Sequence, residues 1–285
     1  MDVVLGTPGG WTEEFVVDVT ADATRAYAAA TNEHDERFTT GKLAPPMFAT
    51  VPVRPAIRAA FVQAMPEGLP ASVPRLAGEQ DMLFHRPIEA GMRLRCRARF
   101  MGISPKSSGT TLTYKIEIRG DTGELVNEQY MTTFLPGVSW PRPAGEAAPD
   151  RPTLGDVRAT PPIARVVQRF DDDQTFRYSR ASGDPSRWHL DDEYARAAGL
   201  PGIIIHGLCT MAFVGRAVAD GTAGGDPMQL RRLAVRFSRP IFPGSAMTTE
   251  IWPGGNLAGR RRYLCEATRG DGERVITNGL AEVDG

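Results

Sequence analysis

The sequence predicts an α+β protein made of two copies of one unit, each an antiparallel sheet wrapped around a long central helix. Three observations point there. Phe84-His85-Arg86-Pro87-Ile88-Glu89-Ala90-Gly91 recurs as Phe237-Ser238-Arg239-Pro240-Ile241-Phe242-Pro243-Gly244, and both copies read Phe-x-Arg-Pro-Ile-x-x-Gly, 153 residues apart. Tyr27 to Phe38 aligns with Tyr178 to His189 at an offset of 151, pairing Thr31 with Ser182 and Glu33 with Asp184. In each copy strands cluster after helices, an order that argues against a doubly wound parallel sheet. Near-equal offsets at two places indicate a tandem duplication, each unit burying its face against its twin.

The elements follow in order. Thr20-Ala21-Asp22 caps an alanine-rich helix running to Thr31. A longer apolar helix is predicted over Arg54–Met65. Leu94, Cys96, Ala98 and Phe100 then alternate with Arg93, Arg95, Arg97 and Arg99. Leu112, Tyr114, Ile116 and Ile118 alternate with Thr111, Thr113, Lys115 and Glu117. A period of two over that length marks strands with one wet face. In the second copy, Asp171-Asp172-Asp173 places acidic groups at the start of a helix to Ser182, and a longer helix is predicted over Gly207–Asp220. Strands are expected at Leu230–Phe237, Thr248–Trp252, Arg262–Thr268 and Val275–Val283. Asp121-Thr122-Gly123 and Gly270-Asp271-Gly272 supply hairpin turns at corresponding places. Between the copies, Ser139 to Leu154 holds Pro141, Pro143, Pro149 and Pro152, too much proline for an ordinary element, and reads as a linker. The organisation expected is an N-terminal half at 1–138, a linker at 139–158 and a C-terminal half at 159–285.

Composition narrows the function. The 285 residues are 41% hydrophobic and 24% charged, which suits a globular protein with a full core. A net charge of −1 gives no bulk drive towards nucleic acid or an anionic membrane. Cys96, Cys209 and Cys265 are isolated in apolar contexts, so reduced thiols are expected, and no Cys-x-x-Cys spacing suggests zinc. The start, Met1 to Gly6, lacks the basic and apolar regions of a signal peptide, and no apolar run reaches transmembrane length. A cytoplasmic protein without nucleic-acid or membrane partners is expected.

Chemistry concentrates in Ser182-Gly183-Asp184-Pro185-Ser186-Arg187-Trp188-His189, followed by Pro201 and His206-Gly207-Leu208. Two of the four histidines fall here. Five residues along a continuous helix would turn Asp184 and His189 about 140° apart, so a shared site needs a break between them. Gly183 tolerates unusual dihedrals and Pro185 pushes Asp184 out of the helical region. A loop on which both groups converge is the expected result.

Continuing through Ala195, Gly199 and Pro201 to Ile205-His206-Gly207-Leu208-Cys209-Thr210, this segment resembles the hydratase 2 motif. That motif belongs to MaoC-like (R)-specific enoyl-thioester hydratases and 3-hydroxyacyl-thioester dehydratases. The duplicated organisation resembles the double hot-dog members, in which the C-terminal half alone keeps the motif. The resemblance implies a tandem hot-dog fold, Asp184 and His189 as the catalytic pair, and the Gly207 N–H in an oxyanion hole. It implies no metal and no cofactor, coenzyme A or carrier phosphopantetheine entering as part of an acyl-CoA or acyl-carrier-protein substrate. The chain would be a pseudo-dimer by itself, with a homodimer left open. At neutral pH an unperturbed Asp is ionised and an unperturbed His mostly neutral, so the pair could orient a water and move its proton.

The chain departs from the family where Asn-Pro-Leu/Ile is usual and Ser186-Arg187-Trp188 stands instead. These three, with His206, are candidate substrate contacts, although His206 reads first as a local brace of the loop. In the first half Phe38 replaces the histidine and Pro45-Pro46-Met47-Phe48 occupies the region of Ile203–Gly207, so that half should be catalytically silent and serve the acyl pocket. Two rival readings are a non-catalytic acyl-thioester binding protein and a hot-dog thioesterase. The second would need a carboxylate on the central helix, where Asp220 alone is offered, and distally. The Arg93/Arg95/Arg97/Arg99 stripe reads as a solvated strand face, with contact to coenzyme A phosphates or to an acidic carrier protein as the sharper alternative.

Overall fold

The computed structural model describes residues 3–70, 73–152 and 155–285, so the readings at Met1-Asp2 and at Thr153-Leu154 lie outside the described residues. In chain order the first half runs β1 (Phe15–Asp18), α1 (Ala21–Ala30), α2 (Glu36–Thr39), α3 (Arg54–Ala64), β2 (Leu76–Phe84), β3 (Arg93–Lys106), β4 (Gly109–Arg119) and β5 (Leu125–Pro136). A two-residue strand, β6 (Ala144–Gly145), comes next. The second half repeats the order as β7 (Ala164–Arg169), α4 (Gln174–Ser182), α5 (Asp192–Ala197), α6 (Gly207–Thr222), β8 (Leu230–Phe237), β9 (Ala246–Leu257), β10 (Arg260–Arg269) and β11 (Arg274–Asp284).

The topology repeats as well. The first set of strands lies in the order β1-β3-β4-β5-β2 and the second in the order β7-β9-β10-β11-β8. All these pairings are antiparallel. Two copies with the same element order and strand order are the expected tandem fold.

Contacts divide the chain into two compact units. One comprises Met1–Asp18, Pro52–Arg86 and Arg93–Arg151; the other comprises Val19–Val51, Pro87–Met92 and Pro152–Gly285. The units do not follow the halves of the repeat, because the arm holding α1 and α2 belongs with the second half. In the first unit α3 lies on β3 and β4 through Ala56, Ala60 and Ala64, a stripe at helical spacing whose small side chains allow a close approach. Leu94, Cys96, Ala98 and Phe100 are buried beneath it, as the alternation predicts. In the second unit α6 is the buried element: Cys209, Met211, Phe213, Val214, Ala217 and Val218 are all essentially inaccessible. Each large apolar side chain so buried contributes about 1.5–3 kcal/mol.

Two stretches read from the sequence gain detail. The proline-rich stretch is not free of structure, since β6 pairs with β3 at Gly102 and Ile103. Arg99 also binds both carboxylate oxygens of Glu146, at 2.9 and 2.7 Å. The arginine stripe is partnered, with Arg95 on Asp121 at 3.1 Å and Arg97 on Glu117 at 2.8 Å beneath the Trp11 ring. Acids across the strands take up that charge, which disfavours the phosphate reading.

Candidate active site

The site begins where α4 stops. Gly183 adopts φ +71°, ψ 22°, a left-handed conformation that favours glycine, and Pro185 follows one residue later. The freed loop is then tied down locally. Ser179 Oγ donates to the Asp184 carbonyl at 2.6 Å, and Asp184 N–H donates to Ser182 Oγ at 3.3 Å. The Asp184 carboxylate accepts the Ser186 hydroxyl at 2.6 Å and the Ser186 N–H at 3.2 Å. Ser186 therefore orients the acid, a charge-assisted contact that holds one rotamer.

Residues Arg187–His189 form a 3-10 turn that carries the imidazole inward, where it is 8% exposed. Its Nδ1 lies 2.8 Å from the Ile204 carbonyl, so Nδ1 bears the proton. The Trp188 indole N–H lies 3.1 Å from Nε2. An indole nitrogen can only donate, so Nε2 presents its lone pair. The result is a neutral imidazole in one tautomer. Burial pushes its pKa below the ordinary 6.5, opposed by the Ile204 hydrogen bond and the Asp184 charge.

His206 stacks on that ring, with centroids 3.7 Å apart and planes inclined by 21°. Its Nδ1 is 3.2 Å from Thr175 Oγ1 and its Nε2 is 3.3 Å from the Asp184 carbonyl oxygen. Both of its ring nitrogens therefore face the loop and α4. Donor atoms of Asp184, His189 and His206 all lie within 4.8 Å of one another. That spacing is within reach of one small cation, but both nitrogens of each imidazole already face protein partners. The cluster is better equipped to pass a proton than to hold an ion.

His206 is also the residue from which α6 departs, its carbonyl accepting the Thr210 N–H at 3.0 Å. The N–H groups of the first turn, Gly207 included, have no acceptor within the helix and sit at its positive end. A β-carbon at Gly207 would come within 3.2 Å of the Phe237 ring, so a side chain there would need that ring to shift by a few tenths of an ångström. Arg187 points away: it is exposed, paired with Asp191 at 2.6 Å and stacked on Tyr194. The Cys209 thiol is buried and its pKa is raised by that burial, so nothing activates it.

Thr175, Ile204 and Phe237 were not among the site residues read from the sequence. Thr175 Oγ1 lies 3.0 Å from the His189 carbonyl and 3.2 Å from that of Ile204. The Ile204 N–H reaches the Trp188 carbonyl at 3.1 Å. Ile204 acts through its backbone, which leaves no mark in a side-chain pattern. Phe237 did carry a signal, as the first residue of the repeated string.

A cleft opens beside α6, lined by Tyr27, Pro45 and Met47 from the first half and by Ala212, Gly215 and Arg216 from the helix. Glu33 lies in its wall, 9% exposed and ion-paired with Arg216. Arg216 also holds Asp220 at 2.8 Å.

Known proteins share this sequence and fold. Residues 153–273 match the MaoC like domain family, and residues 7–129 match the FAS1-like dehydratase domain region. The chain is 32% identical over 214 residues to 3-hydroxyacyl-thioester dehydratase Y of Mycobacterium tuberculosis, covering 73% of this chain and 72% of that protein. The chain belongs to the MaoC-like dehydratase family. As a MaoC-like dehydratase it is a hydro-lyase. Its fold matches the MaoC-like dehydratase of Phytophthora capsici with a TM-score of 0.81 at 24% identity, over 97% of this chain and 96% of that one. It also matches a Mycobacterium tuberculosis protein with a double hotdog fold, with a TM-score of 0.61 at 14% identity, over 97% and 95% of the two chains. The expected double hot-dog architecture is thereby shown. Among the described residues, no helix is long and apolar enough to cross a membrane.

Proposed function

We propose that this MaoC-like dehydratase catalyses (R)-specific hydration of 2-enoyl thioesters and the reverse dehydration of 3-hydroxyacyl thioesters, in its C-terminal half. The observation that carries this reading is the convergence of the Asp184 carboxylate and the His189 imidazole beside the start of α6. Asp184 and His189 hold a water against the β-carbon of the substrate. The water oxygen bonds to that carbon while its proton passes to the pair, and the π electrons move to the thioester oxygen. Gly207 N–H and the positive end of α6 stabilise that developing charge. The enolate then takes a proton at the α-carbon, regenerating the carbonyl and balancing the addition. Dehydration reverses each step, and no metal or redox group takes part as written. Coenzyme A or carrier phosphopantetheine enters as part of the substrate.

In this reading the N-terminal half is silent and lends its arm to acyl binding. The cleft beside α6 supports that assignment: Ala212 and Arg216 lie five and nine residues beyond Gly207, about 7 and 13 Å along the helix axis. An acyl tail lying along α6 would meet Tyr27 and Met47. Incubation with a short 2-enoyl-CoA tests the proposal. Loss of the conjugated absorbance without release of free thiol is expected; thiol release would instead identify a thioesterase. Asp220 is a poor thioesterase carboxylate, because Arg216 holds it. A second reading, a thioester-binding protein without turnover, is favoured by one observation: the His189 lone pair is engaged by Trp188. Tight binding of a broad acyl panel without conversion would establish it.

A further inference from the structure

The engaged lone pair has a use. Resting on the hydratase reading, we propose that Trp188 is a positioning residue that caps His189 Nε2 until a thioester binds and then yields that lone pair to the reacting water.

The geometry leaves little choice about the resting state. His189 Nδ1 lies 2.8 Å from the Ile204 carbonyl, and Nε2 faces the Trp188 N–H at 3.1 Å. The two rings meet edge to face, with centroids 6.3 Å apart and planes at 88°. His206 covers one face of the imidazole and Thr175 braces the backbone beneath it. The ring is thus fixed on three sides, and its proton-accepting atom is occupied by an adjacent side chain. Trp188 is half-buried, and its ring lies 6.4 Å from that of Tyr194 between centroids.

Two consequences follow. A donated N–H stabilises neutral imidazole, so Trp188 resists protonation of the base at Nε2, where an added proton would face the indole N–H. Asp184 is the charged group that favours protonation there, while the stacked His206 lends an aromatic face and its own titratable ring. Turnover requires the indole to move, because one lone pair cannot accept from both Trp188 and water. The residue that departs from the family motif therefore couples substrate entry to release of the base.

Replacement of Trp188 by phenylalanine keeps an aromatic ring and removes the donor. With the free enzyme, ¹⁵N NMR of the histidine rings should show the His189 midpoint rising by roughly 0.5–1 pH unit. The acid limb of the rate profile should rise with it, while KM changes little. Substrate binding to the unaltered protein should shift the Nε2 resonance as the cap is withdrawn. An unmoved midpoint in Trp188→Phe overturns the proposal. Should that variant fail to fold, benzothienylalanine at position 188 retains the bicycle without the N–H and is read in the same way. The NMR titration needs no turnover. An inert protein with a shifted midpoint loses the hydratase reading alone; an active one with an unmoved midpoint loses the cap alone.

Discussion

Tyr178 to His189 and its repeat counterpart, Tyr27 to Phe38, begin alike and end in opposite roles. Each leaves a helix through a residue with positive φ, Gly183 at 71° and Asn32 at 53°. Each then presents a carboxylate that accepts backbone N–H groups just downstream: Asp184 from Ser186, and Glu33 from His34 at 3.0 Å and Asp35 at 3.2 Å. From there the copies part. Asp184 meets a hydroxyl and lies within reach of an imidazole. Glu33 is closed off by the Arg216 guanidinium, and Phe38, fully buried, stands where the histidine would be. Arg37 occupies the place of Trp188, binding Asp35 at 2.5 Å and Asp226 at 2.8 Å. The same turn thus leads to the proposed proton-transfer pair in one copy and to an ion-pair clasp in the other. What differs is the charge of the partner offered to the acid.

The largest test of that contrast is removal of the acting groups. Asp184→Asn and His189→Ala should each lower the hydration rate about 10²–10⁴-fold in a coupled absorbance assay, with melting temperature nearly kept. Glu33→Gln should leave the rate within a few-fold. Equal losses from Glu33→Gln and Asp184→Asn would erase the distinction between the copies.

Stability should report the reverse pattern. Glu33→Ala leaves Arg216 with Asp220 as its remaining acid beside the cleft, and chemical denaturation should show a loss of about 1–3 kcal/mol, less than a fully buried pair because Arg216 is partly exposed. A smaller effect is expected at Ser186. Ser186→Ala removes the 2.6 Å contact on Asp184 and should cut the rate about tenfold, with Ser186→Asn restoring part of it.

The pH profile sharpens the picture further. His189 has its pKa lowered in the folded state, so its neutral form favours folding fully above the ordinary 6.5. That contribution is lost as pH falls below 6.5, and the acid limb of activity should have its midpoint below that value. A midpoint above it would place the base elsewhere. The smallest expected effect is none at all: Phe38→His, made in the Asp184→Asn protein, should recover no activity, because Glu33 remains held by Arg216.

The long alternating and helical stretches were legible in the sequence because their burial follows their own period. Leu94 to Phe100 buries every second residue as read, whereas in β4 Thr113 and Glu117, expected on a wet face, are buried as well, Glu117 against the Arg97 guanidinium. The short outer strands β1 and β7, four and six residues long, show the same alternation but too briefly to stand out. β6 was hidden because pairing with β3, not its own composition, makes it a strand. At the site, Asp184, His189 and Gly207 could be singled out because the segment that carries them resembles a known motif. Thr175 and Ile204 could not, since they act by contacts brought about in the fold.

By itself, the sequence determined the duplication, the central helices, the break at Gly183 and the residue types able to move a proton. These are local properties of dihedral preference and periodicity. Tertiary structure decided which acid meets a hydroxyl and which an arginine, which imidazole nitrogen carries the proton, and which unit receives the arm of the first half. Each of those depends on groups distant in sequence, whose approach is set by packing and which no local pattern encodes.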